Sequence, residues 1–165
     1  MASFERAATK NPLAPRPVTS AKAVEKSGVE PDVKVPAKEA LLAAQGAALE
    51  ALAKQAASPI AAARYRYAQY RIEGERRPYA PPAAKLQDYV GTYGPFRVVS
   101  EKGKLSFQDP GGGRRGLLPV AEDVFRIEGD EEGPLLRFDR DPTSRVVQVS
   151  ALHPTGETDE IPRNP

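Results

Sequence analysis

From Ala37 to Ala57 the apolar positions recur at helical spacing. Leu41, Leu42, Ala48, Leu49, Leu52 and Ala56 succeed one another at intervals of three, four and seven, which lays them along one stripe of a helix. Pro36 suits the first turn. Ser58 and Pro59 end this helix while offering a cap and a first residue to the next. The second helix, about Pro59 to Glu73, puts Ile60, Ala63, Tyr67 and Tyr70 on one face, and Gly74 reads as its stop. Two helices so joined form a hairpin or dock on the strands encoded after them. Arg76 to Pro82 reads as an extended linker, and Ala83 to Val90 as a short helical turn leading to Gly91 and Gly94.

Beyond Gly94 the period drops to two. Phe96 to Glu101 and Lys104 to Gln108 flank Lys102-Gly103, a tight hairpin turn. Leu117 to Val120, Val124 to Ile127, Leu135 to Arg140 and Arg145 to Leu152 come next, most of them separated by Asp-Pro, Gly-rich or acidic turns. Alternation marks Leu105/Phe107, Phe125/Ile127, Leu136/Phe138 and Val147/Val149 as the buried face. The expected fold class is α+β: an extended Pro-rich arm over residues 1–36, a helical connector over 37–74, a linker over 75–83, and a small antiparallel β-meander over 84–163. Six short strands with one apolar face predict a curled sheet or half-open barrel, with the helices closing one side.

The arm carries Pro12, Pro15, Pro17, Pro31 and Pro36 with no sustained period. It is expected to be mostly disordered alone, with a short strand at Val29 to Val35. Much of the apolar content is Ala in the middle of the chain, so the realistic core is a modest β-core. Lys and Arg outnumber Asp and Glu by 13 to 8 in residues 1–80, whereas acids lead by 14 to 11 in residues 81–165. That asymmetry marks the halves as different kinds of segment and does not by itself make either a polyanion binder. The absence of Cys removes disulfides, thiolate metal sites and Cys nucleophiles. Residues 1–10 hold no apolar run resembling a signal-peptide core, and no stretch approaches the roughly 20 apolar residues of a membrane span. As encoded, the chain is expected in the cytoplasm.

Candidate chemistry is sparse. Asp109 to Arg115 is Gly-rich, but it lies between two predicted strands and lacks the Gly-Lys-Ser/Thr ending of a phosphate cradle, so it reads as a hairpin loop. His153 is the only histidine, with no carboxylate or nucleophile at a telling spacing, and reads as a surface residue. One His and no Cys leave no usual zinc set, and no cofactor is expected. Glu128 to Glu132 is acidic but lacks the ordered spacing of a calcium loop. Arg64 to Arg71 mixes bases with Tyr65, Tyr67 and Tyr70, which fits an amphipathic helix with snorkelling Arg better than a nucleic-acid surface. Ser20, Ser27 and Ser58 sit in Pro-rich or capping contexts. Ser100, Ser106, Ser144 and Ser150 sit in strands or turns, so none has the surroundings of an activated nucleophile. No catalytic, cofactor-binding or metal residue is assigned.

Two signatures, Gly28-Val29-Glu30-Pro31-Asp32-Val33-Lys34-Val35-Pro36 and Leu86-Gln87-Asp88-Tyr89-Val90-Gly91-Thr92-Tyr93-Gly94-Pro95, stand about sixty residues apart. Together they resemble the C-terminal end of the tail-specific (C-terminal-processing) serine peptidases, in the branch related to the interphotoreceptor retinoid-binding protein repeats. In that family a Gly-Val-x-Pro-Asp segment closes the catalytic domain, and a helix, a linker and a small β-domain can come after it. The resemblance implies that the nucleophilic Ser lies upstream of the first signature, which only 27 residues precede here. The expectation is a non-catalytic C-terminal portion of a peptidase, inactive alone, with a peptidase catalytic domain or another protein as partner. The family is often exported or periplasmic. The alternative is a stand-alone module in which the sheet or the tyrosine helix binds a protein or an apolar ligand. No nucleic acid and no membrane span enter either reading.

Overall fold

The structure, a computed structural model, describes residue 36 and residues 39–165. Helices α1 (Ala40–Gln55) and α2 (Pro59–Arg76) are followed by a 3-10 helix (Ala83–Tyr89). Eight strands complete the chain: β1 (Gly91–Tyr93), β2 (Phe96–Glu101), β3 (Lys104–Gln108), β4 (Arg114–Ala121), β5 (Val124–Ile127), β6 (Leu135–Arg140), β7 (Val146–Leu152) and β8 (Thr158–Pro162). The fold is α+β. The arm assigned to residues 1–36, with its strand at Val29 to Val35, lies outside the described residues except for Pro36.

All eight strands form one sheet in chain order, each antiparallel to the next. Short turns hold this meander together, such as Lys102-Gly103, where both residues have positive φ as a two-residue hairpin requires. The sheet curls until its two ends meet. Tyr93 bridges Arg163, the Gly94 amide donates to the Pro162 carbonyl at 3.1 Å, and the Asn164 amide donates to the Thr92 carbonyl at 2.8 Å. The result is a nearly closed eight-stranded barrel, a shape that removes the exposed edges of an open sheet.

Two apolar clusters arise from this curvature. Inside the barrel lie Tyr89, Tyr93, Val98, Phe107, Phe125, Phe138 and their neighbours. On the outer face, Val120, Val124, Leu135 and Leu152 pack beneath Tyr67 of α2. The pairs Val124/Phe125, Leu135/Leu136 and Ala151/Leu152 thus bury both faces of their strands, which is why these strands read as continuous apolar runs. Ser58 caps α2 by accepting from the Ala61 amide at 3.2 Å, and Pro59 opens it.

Several expectations need correction. Gly74 does not stop α2. The helix runs on to Arg76, and the Arg77 amide closes it on the Glu73 carbonyl at 2.8 Å. A Cβ at Gly74 would stand 2.8 Å from Val120 Cγ1, so the glycine lets the helix approach β4. The supposed core stripe of α1 is split: Leu41 and Leu52 are exposed, and the helix's one fully buried residue is Gly46. Ile60 is exposed at 56% while Tyr67 on the same helix is buried. Val147 does not share the buried face with Val149. Asp139 pairs with Gln148 and Arg140 with Val146, so Val147 is the extra residue of a bulge and turns outward at 40% exposure. The sheet has eight strands, not six, because β1 and β8 carry too few apolar residues to announce themselves.

Phe138 is 2% exposed and packs against Tyr89, Tyr93 and Phe125 with ring centroids 4.9–5.7 Å apart. Phe138→Ala is expected to cost about 3–5 kcal/mol in urea unfolding. Val147→Ala is expected to stay within about 0.5 kcal/mol. Equal costs for the two would contradict the bulge.

Candidate functional site

An up-and-down barrel gathers alternate turns at each end, and here the two ends differ. At one end lie the turns after β2, β4 and β6, together with the 3-10 helix. Tyr89 from that helix is fully buried, and its hydroxyl donates to Asp123 Oδ1 at 2.8 Å. Arg140 grips the same carboxylate through Nε (3.1 Å to both oxygens) and Nη2 (2.9 Å). Its Nη1 donates to Asp88 at 3.1 Å and to the Ser144 carbonyl at 2.7 Å. Burial draws the Asp123 carboxyl upward, but the bonds from Arg140 and Tyr89 outweigh it and hold its pKa below the ordinary value. Burial, reinforced by the bond to Asp123, pushes the Tyr89 hydroxyl pKa up. This end is plugged.

At the other end lie the turns after β1, β3, β5 and β7. Between them opens a cavity of about 280 Å3. Side chains fill the two ends differently. The aromatics Tyr89, Phe125 and Phe138 fill the plugged half. Toward the open end, Val98, Val149 and Ala151 project inward and do not reach across. Phe96 and Phe107, stacked at 5.0 Å, form one wall, and Ile127, Leu136 and Ile161 form the others. Tyr93 is the polar residue of the floor. Its hydroxyl is committed to the Tyr89 carbonyl at 2.9 Å, and burial pushes its pKa up to about 12.

The rim is charged. Arg115 lies two residues before Leu117, and Asp159 two before Ile161, so both side chains face inward at the mouth. Arg115 Nη1 lies 3.8 Å from Asp130 Oδ2, and His153 Nε2 lies 2.9 Å from Asp159 Oδ2. Helix α2 steadies two of the lips. Tyr67 donates to the Gly133 carbonyl at 2.7 Å in the turn that carries Asp130. Gly156, in the turn that carries His153, packs so tightly on the Ile60 carbonyl and the Arg64 side chain that a Cβ there would collide with them.

The residues weighed in the sequence take distinct places. Asp109 to Gly113 forms the turn between β3 and β4, closed by the Asp109 side chain on the Gly113 amide at 2.9 Å, and Arg115 beyond it joins the rim. Of the acidic run, Glu131 pairs with Arg126 at 3.2 Å and Asp130 faces Arg115. His153 is a half-buried rim residue bonded to Asp159. Ser150 is fully buried and donates to Asp139 Oδ2. Burial would raise the Asp139 pKa, but donors from Arg137, Ser150 and Gln148 hold it below its ordinary value, which leaves the Ser150 hydroxyl a structural donor. Ser58 is a cap, and the Ser144 carbonyl serves Arg140. Ser20 and Ser27 lie outside the described residues. Among the described residues no group of three His, Cys, Asp or Glu side chains stands together as a metal site. No described helix is long and apolar enough to cross a membrane.

Sequence reasoning missed the cavity, because a void comes from side chains meeting across strands distant in the chain. The one available signal was the small Ala151 in line with Val149 where the facing strands carry Phe and Leu. Compared with protein families and with curated proteins, the chain matches no family model and no curated sequence.

Asp123 and Asp139 both have lowered pKa values, so each adds stability that is present above the ordinary carboxylate pKa and lost as pH falls through its folded value. The urea midpoint is expected to hold between about pH 7 and 5 and to drop below about pH 4. Asp123→Asn should be less stable at neutral pH and show a shallower acid loss. A midpoint unchanged down to about pH 2 would contradict the network.

Proposed function

We propose that the barrel is a non-catalytic binding module that takes the apolar body of a small ligand into its open end. The observation that carries this reading is the cavity. Eight strands enclose an interior that is either filled by side chains or left wide enough for one small ligand. Here the plugged half is filled and the open half is not. A concave apolar pocket with a few polar groups at its rim is the usual form of a small-molecule site. Ser150 is committed to Asp139, and at the rim His153 bonds Asp159, with no described Ser hydroxyl hydrogen-bonded to it. That supports binding rather than covalent chemistry.

The resemblance to the tail-specific peptidases fits this reading as an accessory domain, with α1 and α2 as the connector toward a catalytic partner. Its second signature is consistent with a structural role. Tyr89 and Tyr93 are buried in the barrel, and Gly91 and Gly94 lie where the sheet closes. They account for the fold, and of the four only Tyr93 reaches the cavity, at its floor.

Titration with N-phenyl-1-naphthylamine, an uncharged probe that brightens in apolar surroundings, tests the proposal. Saturable binding is expected. It should be lost in Ala151→Phe and Ile161→Trp, which fill the cavity, provided that far-UV circular dichroism and melting stay near the parent. Leu41→Ser on the exposed face of α1 should bind normally. Undiminished binding in both cavity variants would overturn the reading. A serine-reactive fluorophosphonate is expected to leave the chain unlabelled, and specific labelling of one Ser would refute the non-catalytic assignment.

A further inference from the structure

We infer that the mouth selects an uncharged, dipolar head group, an amide, on a small molecule with an apolar body. This rests on the reading of the cavity as a ligand site and adds the chemistry that the site accepts.

The apolar lining of the cavity dictates the body. Its floor and walls are Tyr93, Val98, Phe107, Ile127, Leu136 and Val149, and the Tyr93 hydroxyl already donates to Tyr89. Among the described residues no buried side-chain polar atom lacks a partner. A hydrogen-bond acceptor carried to the floor would lose its water and meet no free donor. The volume is about twice the roughly 150 Å3 that holds one benzene. That is room for a chain of about eight carbons or for a bicyclic aromatic, such as the naphthyl group of N-phenyl-1-naphthylamine with its phenyl ring at the open mouth.

The rim dictates the head. Arg115 and Asp130 lie 3.8 Å apart, close enough to attract but too far for a hydrogen bond, and among the described residues neither side chain makes one. A guanidinium donor and a carboxylate acceptor therefore stand side by side, both unspent and both at the mouth of an apolar pocket. Across the mouth, His153 and Asp159 are already joined at 2.9 Å. A carboxylate head would find Arg115 but would also face Asp130 and Asp159. An ammonium head would find those acids but would face Arg115. An amide avoids both conflicts, because its carbonyl accepts from Arg115, its N–H donates to Asp130, and it has no net charge to desolvate. The pair also stands on braced elements: Asp130 lies in the turn held by Tyr67, and Arg115 lies on β4, opposite Phe107.

The test displaces bound N-phenyl-1-naphthylamine at pH 7.5 with octanamide, octanoate and octylamine, which share one chain and differ in the head. Octanamide is expected to compete at concentrations roughly tenfold lower than either charged analogue. In the double variant Arg115→Ala, Asp130→Ala the naphthylamine should still bind, and the advantage of octanamide over either charged analogue should fall to about threefold or less, the part that their desolvation leaves. Retention of the parent's preference in that variant would overturn the role of the pair. Octanoate or octylamine matching octanamide on the parent chain, or octanamide failing to compete, would refute the head-group inference while leaving the apolar site intact. Failure of naphthylamine itself to bind would remove the site and this inference with it.

Discussion

Closure of the sheet on itself is the constraint on which the other features depend, and Arg163 is its latch. Its guanidinium lies 5.8 Å from the centre of the Tyr93 ring. It donates to the carbonyls of Val90 at 2.6 Å, Asp88 at 3.3 Å and Val146 at 3.0 Å. One side chain from the last residues thereby ties the 3-10 helix, the lead-in to β1 and the start of β7 together. The guanidinium lies against Gly91, where a Cβ would stand 2.8 Å from Arg163 Nε, so the latch also requires a residue without a side chain at that point. Without it, β1 and β8 would be two short edges of an open sheet, and the cavity would be a groove exposed along its length.

Closure also makes the two ends of the barrel unequal. The latch draws the 3-10 helix over one end, where Tyr89, Asp123 and Arg140 complete a plug whose polar atoms satisfy one another. Among the described residues nothing equivalent covers the other end, where small inward residues leave a void beneath a rim of charges. Helix α2 supports the wall from outside in two ways. It covers the outer apolar cluster and, through Tyr67 and the contact at Gly156, fixes two of the lips. The proposed function is therefore a property of the barrel's asymmetry rather than of any single reactive side chain.

The α+β class, both helices and six strands were legible in the chain: the Ala- and Leu-rich run and the Ser58-Pro59 break marked the helices, and a period of two marked the strands. Lys102-Gly103 announced its turn because only certain residues tolerate the backbone it needs. Strands β1 and β8 did not announce themselves. Gly91–Tyr93 is too short to show a period, and Thr158-Asp159-Glu160 is paired through its backbone while its side chains face water or the mouth. Val147 and Gly74 were misread for a related reason. A bulge and a close helix approach are consequences of pairing and packing, and neither changes the local residue pattern. The rim was likewise hidden, since Arg115, Asp130, His153 and Asp159 come from two strands and two turns that meet only when the barrel forms.

In the proposed binding mode an apolar body enters the barrel at one end only. Amide chemical-shift changes in a 15N-labelled chain titrated with N-phenyl-1-naphthylamine test it most directly. The largest changes are expected at Tyr93, Phe107, Ile127, Leu136 and Ala151, while Tyr89, Asp123 and Arg140 at the plugged end stay nearly still. Changes centred on α1 and α2, or spread evenly over both ends of the barrel, would contradict it.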